Sequence, residues 1–220
     1  MKSKSHLLRR PKLDLSTEAL SAFEALYDYH HTLNDGAPID YNLPYPKWQF
    51  LIYATERRKA LSHGSGNPEI KEFEPRKADD AFEFGDQKAV YAASDGIWAM
   101  FFAIVDRDGS VTGLCNACIT YEGDEEPYYY FSINEHPSPN RWRRGTVYLL
   151  PGETFDQQAP MTVDGKQVSI AQFRSFEPVR PFAKLAVGPE DFPFLDRIRR
   201  HNPKELRAKA LADPEGFPWH

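Results

Sequence analysis

Cysteine is scarce in this 220-residue chain: Cys115 and Cys118, in the phrase GLCNACITY, are the only two. A disulfide-stapled scaffold is therefore excluded, and a lone CxxC with no second pair and no neighbouring histidine pair is read as two small strand residues, not as a metal or redox site. Long apolar runs are also missing. No stretch approaches the ~18 residues of a membrane span, so no membrane partner is expected. The opening, MKSKSHLLRRPKL, is basic but lacks the apolar run of a secretory signal, which makes the cytoplasm the expected compartment. Nor is there an excess of positive charge. With 27 Lys and Arg against 32 Asp and Glu, the net charge is −5, so nothing draws nucleic acid to the chain as a whole, and a polyanion would have to be held by a local basic patch. Internal repeats and low-complexity tracts are absent.

Enough apolar surface is present to build one core. Hydrophobic residues make up 41% and aromatics 14% of the chain, which suits a single domain with disorder confined to its ends. The expected layout is a flexible basic arm over 1–13 and one domain over 14–220, with a core over 46–187 and C-terminal helices over 190–212. STEALSAFEALYDYHHTL opens on the cap pattern Ser16-Thr17-Glu18 and repeats Leu20, Phe23, Leu26 and Tyr27 at helical spacing, which predicts a helix over about 16–33. Prolines 38, 44 and 46 break the chain into a loop, and KWQFLIYATERRK reads as a short helix or a buried segment leading into the histidine phrase. From residue 86 the pattern turns to short runs rich in Val, Tyr, Phe and Ile, including KAVYA, PYYYFSI, GTVYLL, KQVSIAQFRSF and PFAKLAV. One helix interrupts them. It starts at the Ser94-Asp95 cap and presents Ile97, Trp98 and Phe101 on one side. Helices first, then consecutive strands without βαβ alternation, predict an α+β fold with a mostly antiparallel sheet.

Three phrases carry chemistry. KALSHGSGN ends a strand on His63, Gly64 and Ser65, AVYAA centres a strand on Tyr91 before the SDGIWAMFF helix, and IAQFRSFEPVRPFAKLAV follows at 170–187. Taken singly, His63 and Tyr91 are ordinary structural residues. Together and in this order they resemble the NAD-binding half of the ADP-ribosyltransferase fold, in its diphtheria-toxin and poly(ADP-ribose) polymerase-like branch. That branch sets His, Tyr and Glu on separate strands in phrases of the type LWHGS, GIYFA and NEYIVYD. Here Gln172 stands at the glutamate position. Glu177, five residues on, fills it only if the register slips, and an odd offset in a strand points to the other face.

The resemblance implies an ADP-ribosyltransferase-like split antiparallel sheet and NAD as substrate, without a metal. It makes His63 a partner of a ribose hydroxyl, the Gly64 backbone a partner of the nicotinamide carboxamide, Ser65 a further donor, and Tyr91 with Phe101, or else Phe102, two aromatic faces around the ring. The reaction implied is loss of nicotinamide from the ribose and transfer of ADP-ribose to a macromolecular acceptor, RNA, DNA or protein, in the manner of a toxin or defence effector with a possible antitoxin partner. NAD hydrolysis, or silent binding of NAD or another nucleotide, are the alternatives. INEHPSPNRWRRGTVY (133–148), with Arg141, Trp142, Arg143 and Arg144, is a candidate grip for a nucleic-acid acceptor, or a solvated hairpin with a packed tryptophan.

Overall fold

The computed structural model describes residues 4–13, 15–77, 84–109, 111–135, 141–163 and 165–219. Along the chain, β1 (Leu8–Arg9) precedes α1 (Thr17–Leu33), and β2 (Ala37–Pro38) leads to α2 (Lys47–Ile52), which a π-helical turn extends over Tyr53–Arg57. Then come β3 (Leu61–Ser65), β4 (Arg76–Lys77), β5 (Lys88–Ala93) and α3 (Gly96–Ile104). The strand-rich half contains β6 (Leu114–Tyr121), β7 (Tyr128–Asn134), β8 (Gly145–Leu150), β9 (Asp156–Gln157), β10 (Met161–Val163), β11 (Lys166–Ile170), β12 (Gln172–Ser175) and β13 (Ala183–Val187). β14 (Arg199–His201) and α4 (Pro203–Ala212) close the chain. This is an α+β protein whose strands pair mainly antiparallel, in two sheets. One sheet runs β1-β7-β6-β11-β10 with β14 also on β7, and the other runs β2-β13-β8-β3-β5-β12-β9 with β4 on β5.

The two sheets enclose the main core, and α3 lies inside it. Asp95 starts this helix as the sequence leads one to expect, accepting the Trp98 N–H at 2.8 Å. A one-sided apolar stripe was the expectation. In fact every residue of α3 except Phe102 is buried, because the helix has a sheet on each side. Against the eight-stranded sheet it rests on two glycines: a Cβ on Gly64 would meet the Ala99 carbonyl oxygen at 1.9 Å, and one on Gly145 would meet that of Ala103 at 2.1 Å. On the other side Phe101 packs on Phe131 of β7 at 4.8 Å between ring centroids. A second apolar cluster, with Leu61, Phe73, Ala92 and Tyr148, covers the opposite face of the eight-stranded sheet.

Asp95 also ties α3 to the six-stranded sheet, since the Tyr129 hydroxyl donates to its carboxylate at 2.7 Å. Burial pushes this carboxyl up from 3.8 to about 6, against the lowering effect of the Tyr129 and Trp98 bonds. The folded state thus prefers the protonated form. The stability this gives is complete below pH 3.8 and is lost as pH rises through about 6, a swing of roughly 3 kcal/mol. Asn is as good an N-cap as Asp, so Asp95→Asn should keep the fold and remove this dependence, while Asp95→Ala should lose about 2 kcal/mol or more from the cap and the orphaned Tyr129 hydroxyl. Urea titrations of both variants at pH 4 and 7 measure the difference.

Three further expectations change. The basic arm is docked from Lys4 onward: β1 pairs with β7, Lys4 bonds Asp124, and Arg10 bonds Glu56 and Glu126. The run KQVSIAQFRSF is two strands in different sheets. Ala171 is the crossing point, its N–H bonding Cys118 in one sheet and its carbonyl accepting from Ser94 beside the other. The segment read as C-terminal helices holds two 3-10 turns and β14 before α4, since Pro193 interrupts a longer helix and Pro203 suits a helix start.

Candidate functional site

The three phrases fall on adjacent strands. β3, β5 and β12 are neighbours in that order within the eight-stranded sheet. β5 and β12 pair over four residues, Gln172↔Ala93 to Ser175↔Val90. Between β3 and β5 the ladder consists of a single pair, Ser62↔Ala93, although β3 continues to pair with β8 as far as Ser65↔Thr146. The sheet therefore opens on the β5 side of β3 immediately after Ser62, at His63.

The imidazole occupies the mouth of this split. His63 Nδ1 lies 2.6 Å from the Tyr91 carbonyl oxygen, and the ring packs on Phe73 at 4.5 Å between centroids. A carbonyl only accepts, so Nδ1 carries the proton and the neutral ring presents Nε2 as an acceptor. Burial holds the His63 pKa below its ordinary 6.5, partly offset by the bond to Tyr91. The ring is thus neutral at pH 7. Its neutral form supports the fold above pH 6.5, and that support is lost as pH falls toward the lowered folded value.

Pleating separates the other two residues from His63. Ser62, Ala93 and Gln172 form one cross-strand row and therefore share a face, as do Tyr91 and Arg174 in the next row. Tyr91 and Gln172 are thus diagonal neighbours on the α3 side, whereas the His63 ring packs with Phe73 of the second cluster. The histidine reaches the tyrosine through its backbone carbonyl. The phenol is half-buried and anchored, its hydroxyl accepting the Gln87 N–H at 2.9 Å and facing the Phe84 and Gln87 carbonyls at 3.0 and 3.1 Å. Gln172 is half-buried, and among the described residues its side-chain amide has no hydrogen-bond partner.

Ser65 accepts the Asn67 N–H at 3.1 Å and so shapes the turn after β3, with its own proton free to donate. Gly64 has a structural reason independent of any ligand, the close approach of α3. Phe101 is a correction: with no exposure, packed on Phe131 and Phe192, it is a core ring and presents no face to a ligand. Phe102 beside it is half-buried. Glu177 lies beyond β12 on the surface, so Gln172 is the residue in register with Ala93.

Residues 136–140 of the arginine-tryptophan loop lie outside the described residues. Of the remainder, Trp142 packs against the main core, Arg143 pairs with Asp106 and Asp108, and Arg144 pairs with Glu190 at 2.7 Å. Arg143 and Arg144 therefore serve the protein's own acids. Cys115 and Cys118 are buried free thiols, and burial alone raises Cys115 to about 12, far from a reactive thiolate. Among the described residues no His, Cys, Asp and Glu cluster could hold a metal ion, and no helix is long and apolar enough to cross a membrane. A cavity of about 370 Å3 at Pro46–Trp48 and Glu190–Pro193 includes none of the three motif residues.

Two neighbours of the site escaped the sequence reading. Gln158 sits opposite Gln172, its N–H bonding the Gln172 carbonyl at 2.9 Å, and its buried Oε1 has no partner among the described residues. Phe73, the ring under His63, comes from an irregular segment with no period to mark it. No known protein family, curated protein or solved structure matches the chain.

Proposed function

We propose that the split beside His63 binds NAD and that the protein transfers its ADP-ribose to a macromolecular acceptor. The observation that supports this reading is the adjacency of the three motif strands, with the ladder between the first two ending at the histidine. Strand edges without a ladder partner offer backbone donors and acceptors to a carboxamide, which is the chemistry asked of Gly64. His63 Nε2 accepts a ribose hydroxyl. Gln172, diagonal to Tyr91 across β5 and β12, adds a neutral acceptor on the other face of the sheet. Bound NAD supplies the labile bond to nicotinamide, and the chain's part is to orient the ribose and to accept hydrogen bonds from it as positive charge builds there.

A second reading, a silent NAD-binding module, is favoured by one feature: Gln172 brings no negative charge. Incubation with labelled NAD and separate pools of RNA, DNA and protein tests both. Transfer is expected to label one pool, and His63→Ala or Tyr91→Ala should abolish labelling with the fold intact. Full labelling by both variants would overturn the site. Intact NAD despite measurable binding would establish the silent module, and free ADP-ribose without labelled acceptor would establish hydrolysis.

A further inference from the structure

Among the described residues, the outer edge of the six-stranded sheet is covered by short segments from the two ends of the chain. β6 runs along one side of β7 from Tyr128 to Ile133. β1 and β14 both pair with β7 as well, so they lie in line along its other side. Arg9 stands opposite Tyr128, Arg199 opposite Ser132 and Arg200 opposite Ile133. At about 3.4 Å per residue, Arg9 and Arg199 are roughly 14 Å apart along this edge. Arg197 precedes β14, and α4 continues the series with Lys204, Arg207 and Lys209.

All seven of these cations are exposed, and none forms an ion pair among the described residues. Lys4 and Arg10, from the same arm, are paired with acids. From 197 to 209 the sequence RIRRHNPKELRAK sets six Arg and Lys against one acid, Glu205, in a chain whose net charge is −5. Other acids stand at its ends: Asp196 before β14, Glu135 after β7, Asp213 and Glu215 after α4, and Asp124 to Glu126 before β7, where the Arg9 charge acts on Asp124. Exposed like charges gathered along one edge repel one another, and an external polyanion relieves that repulsion. Five of the seven are arginines, whose planar forks suit phosphate oxygens, and Arg9 lies over the Tyr128 ring at 5.7 Å. A row of charge on a free strand edge also blocks pairing with another protein's strand.

We propose that this edge, formed by β1 and β14 and continued along the chain by α4, docks the phosphate backbone of a nucleic acid. It belongs to the sheet that does not carry His63, so the inference holds whether or not NAD is cleaved at the split.

Fluorescence anisotropy of the full chain with a short labelled RNA strand, the DNA strand of the same sequence and its duplex tests it. Affinity should fall steeply with salt, with a slope near −0.7 per phosphate contact on single strands. The variant Arg199→Gln/Arg200→Gln/Arg207→Gln should bind at least tenfold more weakly at low salt, with the slope reduced by roughly 2. A control with the same charge change on the other sheet, Arg76→Gln/Lys77→Gln/Lys88→Gln, should stay within about twofold. Because all six positions are exposed, both variants should melt like the parent, and single Arg200→Gln, expected to weaken binding severalfold, serves if the triple variant does not. No binding at low salt, an equal loss in the control, or equal binding of polyglutamate or anionic vesicles at matched charge would overturn the proposal. Preference among RNA, DNA and duplex identifies the source of the phosphates.

Discussion

Gly64→Ala is expected to destabilise the protein by about 3 kcal/mol or more, a fall in Tm of roughly 6–12 °C for a chain of this size. The added methyl would sit 1.9 Å from the Ala99 carbonyl oxygen and 2.8 Å from the Ala103 nitrogen. Both are helix backbone and cannot rotate away. Nor can α3 withdraw, because Phe101 on its far side is packed against Phe131 and Phe192. Gly152 is the control: a Cβ there meets nothing nearer than the Lys59 carbonyl oxygen at 3.8 Å, so Gly152→Ala should leave Tm unchanged or slightly raised. Thermal melts of both variants decide the matter. If Gly64→Ala melts like the parent, the glycine does not seat the helix and is present for a ligand alone.

The second large effect concerns rate. Gln172→Glu should raise nicotinamide release from NAD about tenfold or more. A hydrogen bond to a charged acceptor is worth about 1 to 1.5 kcal/mol more than one to a neutral amide, and each 1.36 kcal/mol of barrier is tenfold in rate. Attraction between the carboxylate and the positive charge growing on the ribose adds to this. Gln172 is half-buried at the start of β12, so a carboxylate there retains some solvent and the fold should survive. An unchanged rate with NAD bound would mean that the amide does not face the ribose. A large loss of stability would show that this position cannot hold a charge.

Local chemistry was legible in the sequence wherever neighbours along the chain decide the structure. Ser16 and Asp95 announced α1 and α3 because a side-chain oxygen three residues before an N–H is a local event. Most strands showed as runs of β-branched and aromatic residues for the same reason. Which strands share a sheet is a long-range outcome. KQVSIAQFRSF gave no sign that Ala171 passes the chain from one sheet to the other, and the burial of α3 on nearly all sides follows from a second sheet that its own period cannot reveal. That is why Phe101 looked like a ligand-facing ring and is a core residue. β1 and β14 were missed for a related reason: two or three residues on the edge of β7 depend on partners about 65 to 120 positions away. At the split, the order of the three phrases was readable, while the bond between His63 and the Tyr91 carbonyl, and the pleat that sends the phenol to the opposite face, required the register.

The most direct measurement is an imidazole nitrogen spectrum of 15N-histidine-labelled protein titrated with NAD, with His63→Ala to assign the signal. At pH 7 His63 should appear as the neutral tautomer with its proton on Nδ1, and NAD should move the Nε2 resonance to that of a hydrogen-bonded acceptor. A His63 signal that stays fixed while NAD binds, or an Nε2 that already carries the proton, would contradict nucleotide binding at the split.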